Sequence, residues 1–167
     1  MTSDGPIAVA MSGGVDSSVA AAMLADTGRP VFGLMLRLWA APGVANRCCS
    51  PADVERARRV AGDLGIPFYV LDAQESFRAS VVRVFVDGYT HGLTPNPCIE
   101  CNRQVRWSYL LRSALALGAV QMATGHYARL EVSLEGPVLR RAADQDKDQS
   151  YVLGMLSAEE LSRSLFP

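Results

Sequence analysis

The chain has 167 residues, of which 49% are hydrophobic and 20% are charged, and its formal net charge at pH 7 is −1. This composition is typical of one soluble globular domain with a core of its own. The near-neutral charge excludes a globally basic nucleic-acid-binding chain, so a polyanionic partner would have to meet a local patch. No apolar run approaches the ~20 residues that a membrane span needs, so we expect no membrane partner.

The cysteines and the N-terminal residues indicate the compartment. Of the four cysteines, two are adjacent and two form a C-x-x-C, which is typical of reactive or metal-binding thiols rather than of a secreted disulfide framework. Residues 1–6 contain neither a basic stretch nor a long apolar region, so no signal peptide is predicted. We therefore expect a cytoplasmic location.

Strand and helix patterns alternate along the chain. In chain order they predict strand 7–11, helix 16–27, strand 30–39, helix 51–64, strand 68–71, helix 77–91, helix 103–117, strand 120–124, a hairpin of 130–135 and 138–141 around Gly136 and Pro137, and helix 157–165. Ser50 and Ser157 are typical caps for the helices that follow them. The sequence thus predicts an α/β fold with a doubly wound, mostly parallel sheet covered by helices on both faces.

The first turn of this pattern, SGGVDSS at residues 12–18, suits a phosphate. Its two glycines allow the backbone to bend and to bring N–H groups close to an anion, and its serines add hydroxyl donors. The start of a helix also favours negative charge. Neither the Walker lysine nor the GxGxxG spacing of dinucleotide folds is present. The sequence therefore predicts a phosphate-binding loop of another type.

The second motif is TPNPCIECN at residues 94–102, which we expect to lie in a loop before the 103–117 helix. Two prolines stiffen this loop, and the adjacent helix start would stabilise a thiolate at Cys101. The pair Cys98 and Cys101 is compatible with a nucleophilic thiol, with metal or cluster ligation, or with two buried small side chains. The adjacent Cys48 and Cys49 are candidates for a further cluster ligand.

Two more motifs carry polar groups near predicted strand ends. Gly125 and His126 follow strand 120–124, at the edge where ligands of open α/β sheets bind. Gly125 is predicted to allow close approach of a nucleotide, whereas His126 is either a ligand, an orienting group or a hydrogen-bonded turn residue. Lys147 is the chain's single lysine and lies among carboxylates, either in a solvated loop or against a phosphate backbone.

These motifs together carry a resemblance. SGGVDS resembles the signature of the PP-loop, or N-type, ATP pyrophosphatases, which have an adenine nucleotide alpha-hydrolase-like fold. With CCSPAD at 48–53, TPNPCIECN, ATGHYAR at 123–129 and KDQSY at 147–151, in this order, the chain resembles the bacterial tRNA-specific 2-thiouridylases (the MnmA family) over essentially its whole length. The resemblance implies that residues 1–167 form an N-terminal catalytic domain, with tRNA-gripping central and C-terminal domains beyond Pro167.

The resemblance also implies roles for individual residues. The ATP-binding set would be Ala10, Met11, Ser12, Gly13, Gly14, Val15, Asp16 and Ser17, with Leu36 and Gly125 as further nucleotide contacts. The target uridine would lie near Asn96, Pro97 and Cys98, and tRNA would contact Lys147, Asp148 and Gln149. Cys101 would be the first catalytic cysteine, assisted by Cys98. Two departures are Leu36, where the family typically has Met, and Cys98, where some members have Asp.

The implied activity is that of a tRNA-uridine 2-sulfurtransferase using ATP and Mg²⁺, with Asp16 helping to hold the metal. The O2 atom of the wobble uridine (position 34) would attack the α-phosphate, and sulfur would then displace AMP at C2. Sulfur would come through a persulfide, or from a [4Fe-4S] cluster held by Cys98, Cys101 and a cysteine beyond residue 167. The implied partners are tRNAs of the Lys, Glu and Gln type and a sulfur donor such as a cysteine desulfurase or a relay protein.

Three alternatives stay open at this point. The chain could be another PP-loop enzyme, either an amide-forming ligase or a different tRNA-modifying adenylase. It could be a non-catalytic nucleotide- or cluster-binding module. It could also bind ATP and yet be inert on tRNA by itself.

Overall fold

A five-stranded parallel sheet forms the centre of the computed structural model, which describes residues 5–38 and 50–167. The strand order is β3-β2-β1-β4-β7. These strands are β1 Ile7–Ala10, β2 Val31–Arg37, β3 Phe68–Asp72, β4 Gln121–Thr124 and β7 Ser164–Leu165. A separate antiparallel hairpin pairs β5 Ala128–Ser133 with β6 Gly136–Arg141. The prediction of an α/β fold with a mostly parallel sheet is confirmed.

The central strand β1 pairs with β2 on one side and with β4 on the other. Ile7 is in register with Val31 and with Gln121. Residues 7–9 are completely buried, as expected for a parallel strand covered on both faces, and their sequence is accordingly a continuous apolar run. Because the chain leaves β1 towards β2 and returns later to β4 on the other side, a crevice forms at the carboxyl ends of β1 and β4.

In the part of the chain that the structure describes, five α-helical segments flank the sheet. They are α1 Val15–Ala25, α2 Pro51–Asp63, α3 at residues 74–90, α4 at residues 97–116, and the short α5 Ala158–Ser162. Two of them contain π-helical segments, Arg78–Val82 within α3 and Cys101–Leu111 within α4. In a π-helical segment the backbone hydrogen bonds join residues five apart instead of four, so each turn contains more residues than in an α-helix. Such segments are frequent at functional sites.

Apolar side chains cover both faces of the sheet. On one face, Ala21 of α1 and Ala57 of α2 pack with Val9 and Met35. On the other face, the buried Trp107 and neighbouring apolar residues of α4 pack with Leu34. Because β1 contributes Val9 to one cluster and Ala8 to the other, the sheet is covered by helices on both sides. This is the doubly wound arrangement that the alternating pattern predicts.

Several predicted boundaries were wrong. Helix α3 begins at Gln74 rather than at residue 77, and α4 begins at Pro97 rather than at residue 103. The C-x-x-C therefore lies on a helix and not in a loop. The physical reason is the cap: the Asn96 side chain accepts a hydrogen bond from the Cys98 N–H at 3.0 Å, and Pro97 occupies the first helical position, where its ring fits.

Two errors concern the C-terminal part. The predicted helix 157–165 ends at Ser162, and Ser164–Leu165 instead adds β7 beside β4. The hairpin turns at residues 134–135 rather than around Gly136 and Pro137, because the Ser133 hydroxyl donates to the Gly136 carbonyl at 2.9 Å and closes the turn earlier.

Three further expectations concern membrane spans, helix caps and residues 39–49. In residues 5–38 and 50–167, no helix is long and apolar enough to cross a membrane. The predicted caps are confirmed: Ser50 with Asp53, and Ser157 with Glu160, each form a reciprocal capping box. The predictions on Cys48 and Cys49, and on the end of strand 30–39, fall at residues 39–49 and lie outside the described residues.

Candidate functional site

A pocket of about 210 Å³ opens at the carboxyl ends of β1, β2 and β4. Its walls come from the loop after β1, the end of β2, helix α4 and the turn after β4. The lining residues are Ala10, Met11, Ser12, Gly14, Asp16, Ser17, Met35, Leu36, Leu38, Arg106, Leu110, Gly125, His126 and Gln149. This is the crevice at which ligands of doubly wound folds bind, and we call it the first pocket.

Serine hydroxyls hold the loop between β1 and α1 in shape. The Ser12 N–H donates to the Ser17 hydroxyl at 3.1 Å, and the Ser17 hydroxyl donates to the Gly14 carbonyl at 3.1 Å. Ser18 donates to the same carbonyl at 2.9 Å. These bonds fold the loop over the first turn of α1, so that the backbone and hydroxyl groups of its first residues border the pocket. Such an arrangement can bind a phosphate.

Two glycines of the site are required by close backbone contacts. Gly13 has φ of +75°, and a Cβ on it would lie 2.4 Å from the Asp53 carbonyl oxygen of α2. A Cβ on Gly125 would lie 2.7 Å from the Asp16 carbonyl carbon and from the Ser17 nitrogen. Gly125 does line the pocket, and it also lets the turn after β4 pack directly on the backbone of α1.

Asp16 is the carboxylate of the first pocket. Its Oδ1 atom accepts a hydrogen bond from the Tyr127 hydroxyl at 3.3 Å. Carboxylate oxygens are ligands that Mg²⁺ prefers, and this cation commonly takes one or two of them together with phosphate oxygens. Within residues 5–38 and 50–167, no group of three or more His, Cys, Asp or Glu side chains could hold a metal ion without other ligands.

His126 and Arg106 lie beside each other in the pocket. Burial, with a smaller contribution from the Arg106 guanidinium, lowers the pKa of His126 to about 3. The imidazole Nδ1 atom is 2.8 Å from the Thr124 hydroxyl, and the ring packs on Trp107 with centroids 5.7 Å apart. His126 is therefore neutral at pH 7, and the positive charge of this wall belongs to Arg106.

The two cysteines lie in the first turns of α4, outside the first pocket. Cys98 is exposed, and Cys101 is partly buried at the start of the π-helical segment. Neither thiol lines the first pocket. The same helix continues to Arg106 and Leu110, which do line it. One rigid element thus carries both the thiols and part of the pocket wall.

A second pocket, of about 360 Å³, adjoins the first, because Asp16 and Gln149 line both. The Lys147 ammonium lies 5.2 Å from the centre of the Tyr127 ring, within the range of a cation–π contact. Tyr127 and Gln149 are joined by two hydrogen bonds, of 3.0 Å and 2.8 Å. The loop that carries the lysine is therefore fixed to the turn after β4.

Asp148 anchors this loop from within. Its carboxylate accepts hydrogen bonds from the Ala142 N–H at 2.8 Å and from the Ser150 hydroxyl at 2.8 Å. These bonds, the one from Ala142 foremost, lower the pKa of the Asp148 carboxyl below its ordinary value. The carboxylate thus holds the loop in shape, and Lys147 adds a positive charge to the lining of the second pocket beside the Asp146 carboxylate.

The structure brings most of the predicted nucleotide residues together. Those that line the first pocket are Ala10, Met11, Ser12, Gly14, Asp16, Ser17, Leu36 and Gly125. Lys147 and Asp148 line the second pocket, and Gln149 lines both. The predicted residues that line neither of these two pockets are Gly13, Val15, Asn96, Pro97, Cys98 and Cys101.

Sequence reasoning assigned no role to seven residues around these pockets: Met35, Leu38, Arg106, Leu110, Tyr127, Asp146 and Tyr151. Leu38 follows directly on β2, and its position could have been inferred from the strand prediction. Arg106 gave no signal of its own, because the chain contains many arginines and its helix was predicted without the π-helical segment.

A family model described as the tRNA methyl transferase HUP domain matches residues 5–167. Relatives include the tRNA-specific 2-thiouridylases MnmA of Mycolicibacterium smegmatis and Mycobacterium avium. Each is 54% identical over 165 residues, which cover 96% of this chain and 45% of the relative. The chain therefore spans about half the length of these relatives. A solved structure described as a predicted subunit of a tRNA methyltransferase from Methanocaldococcus jannaschii has a TM-score of 0.55 at 18% identity, covering 97% of this chain and 67% of that one, and shares the fold.

Proposed function

This chain belongs to the family of tRNA methyl transferase HUP domains, and from that premise we propose that it is the ATP-binding catalytic domain of a tRNA-uridine 2-sulfurtransferase. The relatives that are 54% identical to it are named tRNA-specific 2-thiouridylases. The proposed reaction is the ATP-dependent 2-thiolation of the wobble uridine of tRNA. AMP and pyrophosphate are the other products.

The observation that carries this proposal is the course of α4. Its first turns contain Cys98 and Cys101, and its π-helical segment supplies Arg106 to the wall of the first pocket. A sulfur-transfer group and a phosphate pocket on one helix are what a two-step reaction requires, because the activated base must pass from the nucleotide to the thiol without leaving the site.

ATP is the proposed nucleotide of the first pocket. The loop and helix start at Ser12–Ser17 offer N–H and hydroxyl groups to its phosphates, and the apolar side chains of Met35 and Leu36 offer a surface to the adenine. Asp16 is the residue that would hold Mg²⁺. The cation would supply charge neutralisation at the phosphates.

The chemistry follows in two steps. The uracil O2 atom attacks the α-phosphate of ATP, so that pyrophosphate leaves and the base becomes adenylated. The terminal sulfur of a persulfide on Cys101 then attacks C2, the bond from C2 to the adenylate oxygen breaks, and AMP leaves. A thiol, from the sulfur donor or a cellular reductant, attacks the Cys101 Sγ atom, so that the S–S bond breaks, 2-thiouridine is released and Cys101 remains in a mixed disulfide that a second thiol reduces. The N–H groups of the loop and the dipole of α1 stabilise the negative charge that develops on the phosphate oxygens.

A [4Fe-4S] cluster does not fit the described residues by themselves. Cys98 and Cys101 could provide two thiolates on adjacent turns, but no group of three metal-ligating side chains occurs in residues 5–38 and 50–167. Cluster ligation at these thiols would need at least one ligand from elsewhere. We therefore route the proposed reaction through a persulfide sulfur and derive no step through a cluster.

The proposed partners are a tRNA and a sulfur donor. Lys147, at the mouth of the second pocket, is suited to a phosphate of the tRNA backbone. The exposed thiol of Cys98 and the surrounding turn at Asn96 would face the target base. tRNAs of the Lys, Glu and Gln type, and a cysteine desulfurase or relay protein as donor, complete the proposal.

Nucleoside mass spectrometry of bulk tRNA tests this function. Deletion of the gene that encodes this chain should remove 2-thiouridine derivatives, and the wild-type gene should restore them. The variant Cys101→Ser should not restore them, whereas Ser108→Ala, on the same helix but lining neither pocket, should. Unchanged 2-thiouridine after deletion would contradict the proposed substrate.

The variant Cys98→Asp separates the two sulfur chemistries. A carboxylate oxygen is a much poorer ligand than a thiolate for a [4Fe-4S] cluster, whereas Cys98→Asp leaves Cys101 available for a persulfide. We expect Cys98→Asp to restore 2-thiouridine in the same assay. Complete loss of 2-thiouridine, with ATP binding preserved, would contradict the persulfide route and favour the cluster.

A further inference from the structure

The first pocket contains very little positive charge for a site that is to hold a nucleotide. Its loop has no Walker lysine. Of its two basic lining residues, His126 is neutral at pH 7 because its pKa is about 3. Arg106 is the other one, and the same lining contains Asp16, which adds a negative charge. Because ATP carries several negative charges, a positively charged side chain in this pocket would offset part of the phosphate charge.

Arg106 is available for that role. It belongs to none of the ion pairs formed within residues 5–38 and 50–167, which are Arg37 with Asp72, Arg56 with Asp53, and Arg140 with Glu131. Its side chain is only partly exposed and borders the pocket. An arginine in such a place offers a planar fork of N–H donors that matches two phosphate oxygens.

The other cations near the loop do not border the first pocket. Arg56 donates to the Gly13 carbonyl at 3.2 Å and pairs with Asp53, and it does not line the first pocket. Lys147 lies over the Tyr127 ring and borders the second pocket. Of these candidates, Arg106 is the one whose charge faces the first pocket.

We propose that the Arg106 guanidinium binds a phosphate group of the nucleotide in the first pocket and does there what the lysine does in Walker loops. This inference rests on the proposed function. The π-helical segment Cys101–Leu111 contributes to it, because its hydrogen bonds join residue i to residue i+5. Arg106 consequently lies one such turn after Cys101, and a phosphate bound to it is held next to the thiol-bearing turn.

Isothermal titration of the purified chain with ATP and with adenosine, both in the presence of Mg²⁺, tests the proposal. Arg106→Gln should weaken ATP binding about tenfold or more, the loss expected for one charge-assisted hydrogen bond, and should leave adenosine binding unchanged. Arg106→Lys should fall between wild type and Arg106→Gln, because lysine keeps the charge but not the fork. The matched control is Arg103→Gln, an exposed arginine earlier in α4 that does not line the pocket and should bind ATP like wild type.

The outcomes separate this inference from the function on which it rests. Equal ATP affinity in wild type and Arg106→Gln would overturn the inference alone. Equal losses of affinity for ATP and for adenosine in Arg106→Gln would also overturn it, since they would mean that the arginine only shapes the pocket. The thermal unfolding midpoint of the variant without ligand measures such a structural role independently. No ATP binding by the wild-type chain would overturn the proposed function and the inference together.

Discussion

At the scale of single residues, the site depends on backbones that approach each other closely. Gly125 lets the turn after β4 contact α1, and Gly13 lets the phosphate loop contact α2. Sequence reasoning identified both glycines, but it assigned the space at Gly125 to the nucleotide alone. The contact with α1 could not be predicted, because it joins segments more than a hundred residues apart.

Gly125→Ala should therefore damage both stability and binding. The added methyl group would force the backbone of Asp16 and Ser17 away, at a cost of about 1–3 kcal/mol in the free energy of unfolding. ATP affinity should fall as well, because the loop moves. Gly62→Ala is the control: nothing lies near its added Cβ, and alanine should stabilise α2 by about 0.4–1 kcal/mol. Urea unfolding and ATP titration measure the two effects. A Gly125→Ala variant with the stability and the ATP affinity of the wild-type chain would contradict this account.

His126 should make the fold sensitive to mild acid. Its pKa is about 3 in the folded chain and 6.5 for an exposed histidine, so the unfolded chain binds the extra proton first as the pH falls. The contribution of His126 to the free energy of unfolding is complete above about pH 6.5. It decreases as the pH falls towards 3, by about 1.4 kcal/mol for each pH unit at most. The carboxyls of Asp53 and Asp148, whose pKa values are lowered from 3.8, reduce stability as the pH falls below about 3.8, outside the interval from pH 7 to pH 5.

The comparison with His126→Gln isolates this effect. Between pH 7 and pH 5, the unfolding midpoint of the wild-type chain in urea should fall, whereas that of His126→Gln should stay nearly constant. A wild-type midpoint that does not change over this range would contradict the assignment of a neutral, partly buried imidazole.

At the scale of elements, α4 is where prediction and structure differ most. The sequence pattern supports the helix after residue 103, and its apolar face is indeed buried. The first turns escaped prediction because Pro95 before them, Pro97 within them and the polar residues around both are typical of a loop. Only the Asn96 cap and the position of Pro97 show that the helix already begins there. The cysteines consequently have a defined helical spacing rather than the freedom of a loop.

The cap at Asn96 should control the thiol-bearing turn. Asn96→Ala removes the acceptor of the Cys98 N–H and should cost about 1 kcal/mol of helix stability. Asn96→Asp keeps the cap. We expect thiolation to fall in Asn96→Ala while ATP binding is preserved, as measured by 2-thiouridine in tRNA and by titration. If Asn96→Asp loses thiolation to the same extent, the side chain acts on the base itself and not through the cap.

At the scale of the whole molecule, the alternating pattern predicted the parallel sheet and its two helical layers. The strand order could not be predicted, because it depends on pairings such as Ile7 with Gln121 that no local pattern encodes. The shortest strand, β7, was missed for a related reason: two residues carry no periodic signal, and the strand exists through its pairing with β4. A buried hydrogen bond from the Trp107 indole to the Ser164 hydroxyl, at 2.7 Å, fixes it against α4.

That hydrogen bond should stabilise the entire fold. Trp107→Phe leaves the Ser164 hydroxyl without its indole donor, and Ser164→Ala leaves the indole N–H unpaired; each should cost about 1–3 kcal/mol. The double variant should lose less than the sum of the two, because the interaction can be lost only once. Urea unfolding of the four proteins measures this, and strictly additive losses would show that the bond contributes nothing.

The central claim is that the first pocket activates the wobble uridine by adenylation before sulfur arrives. The most direct test supplies the enzyme with α-labelled ATP, a sulfur donor and a tRNA that carries either uridine or cytidine at the wobble position. We predict one AMP for each 2-thiouridine with the uridine tRNA, no AMP with the cytidine tRNA, and label retained on the tRNA in Cys101→Ser. Formation of 2-thiouridine without AMP, or cleavage of ATP to ADP, would contradict the account.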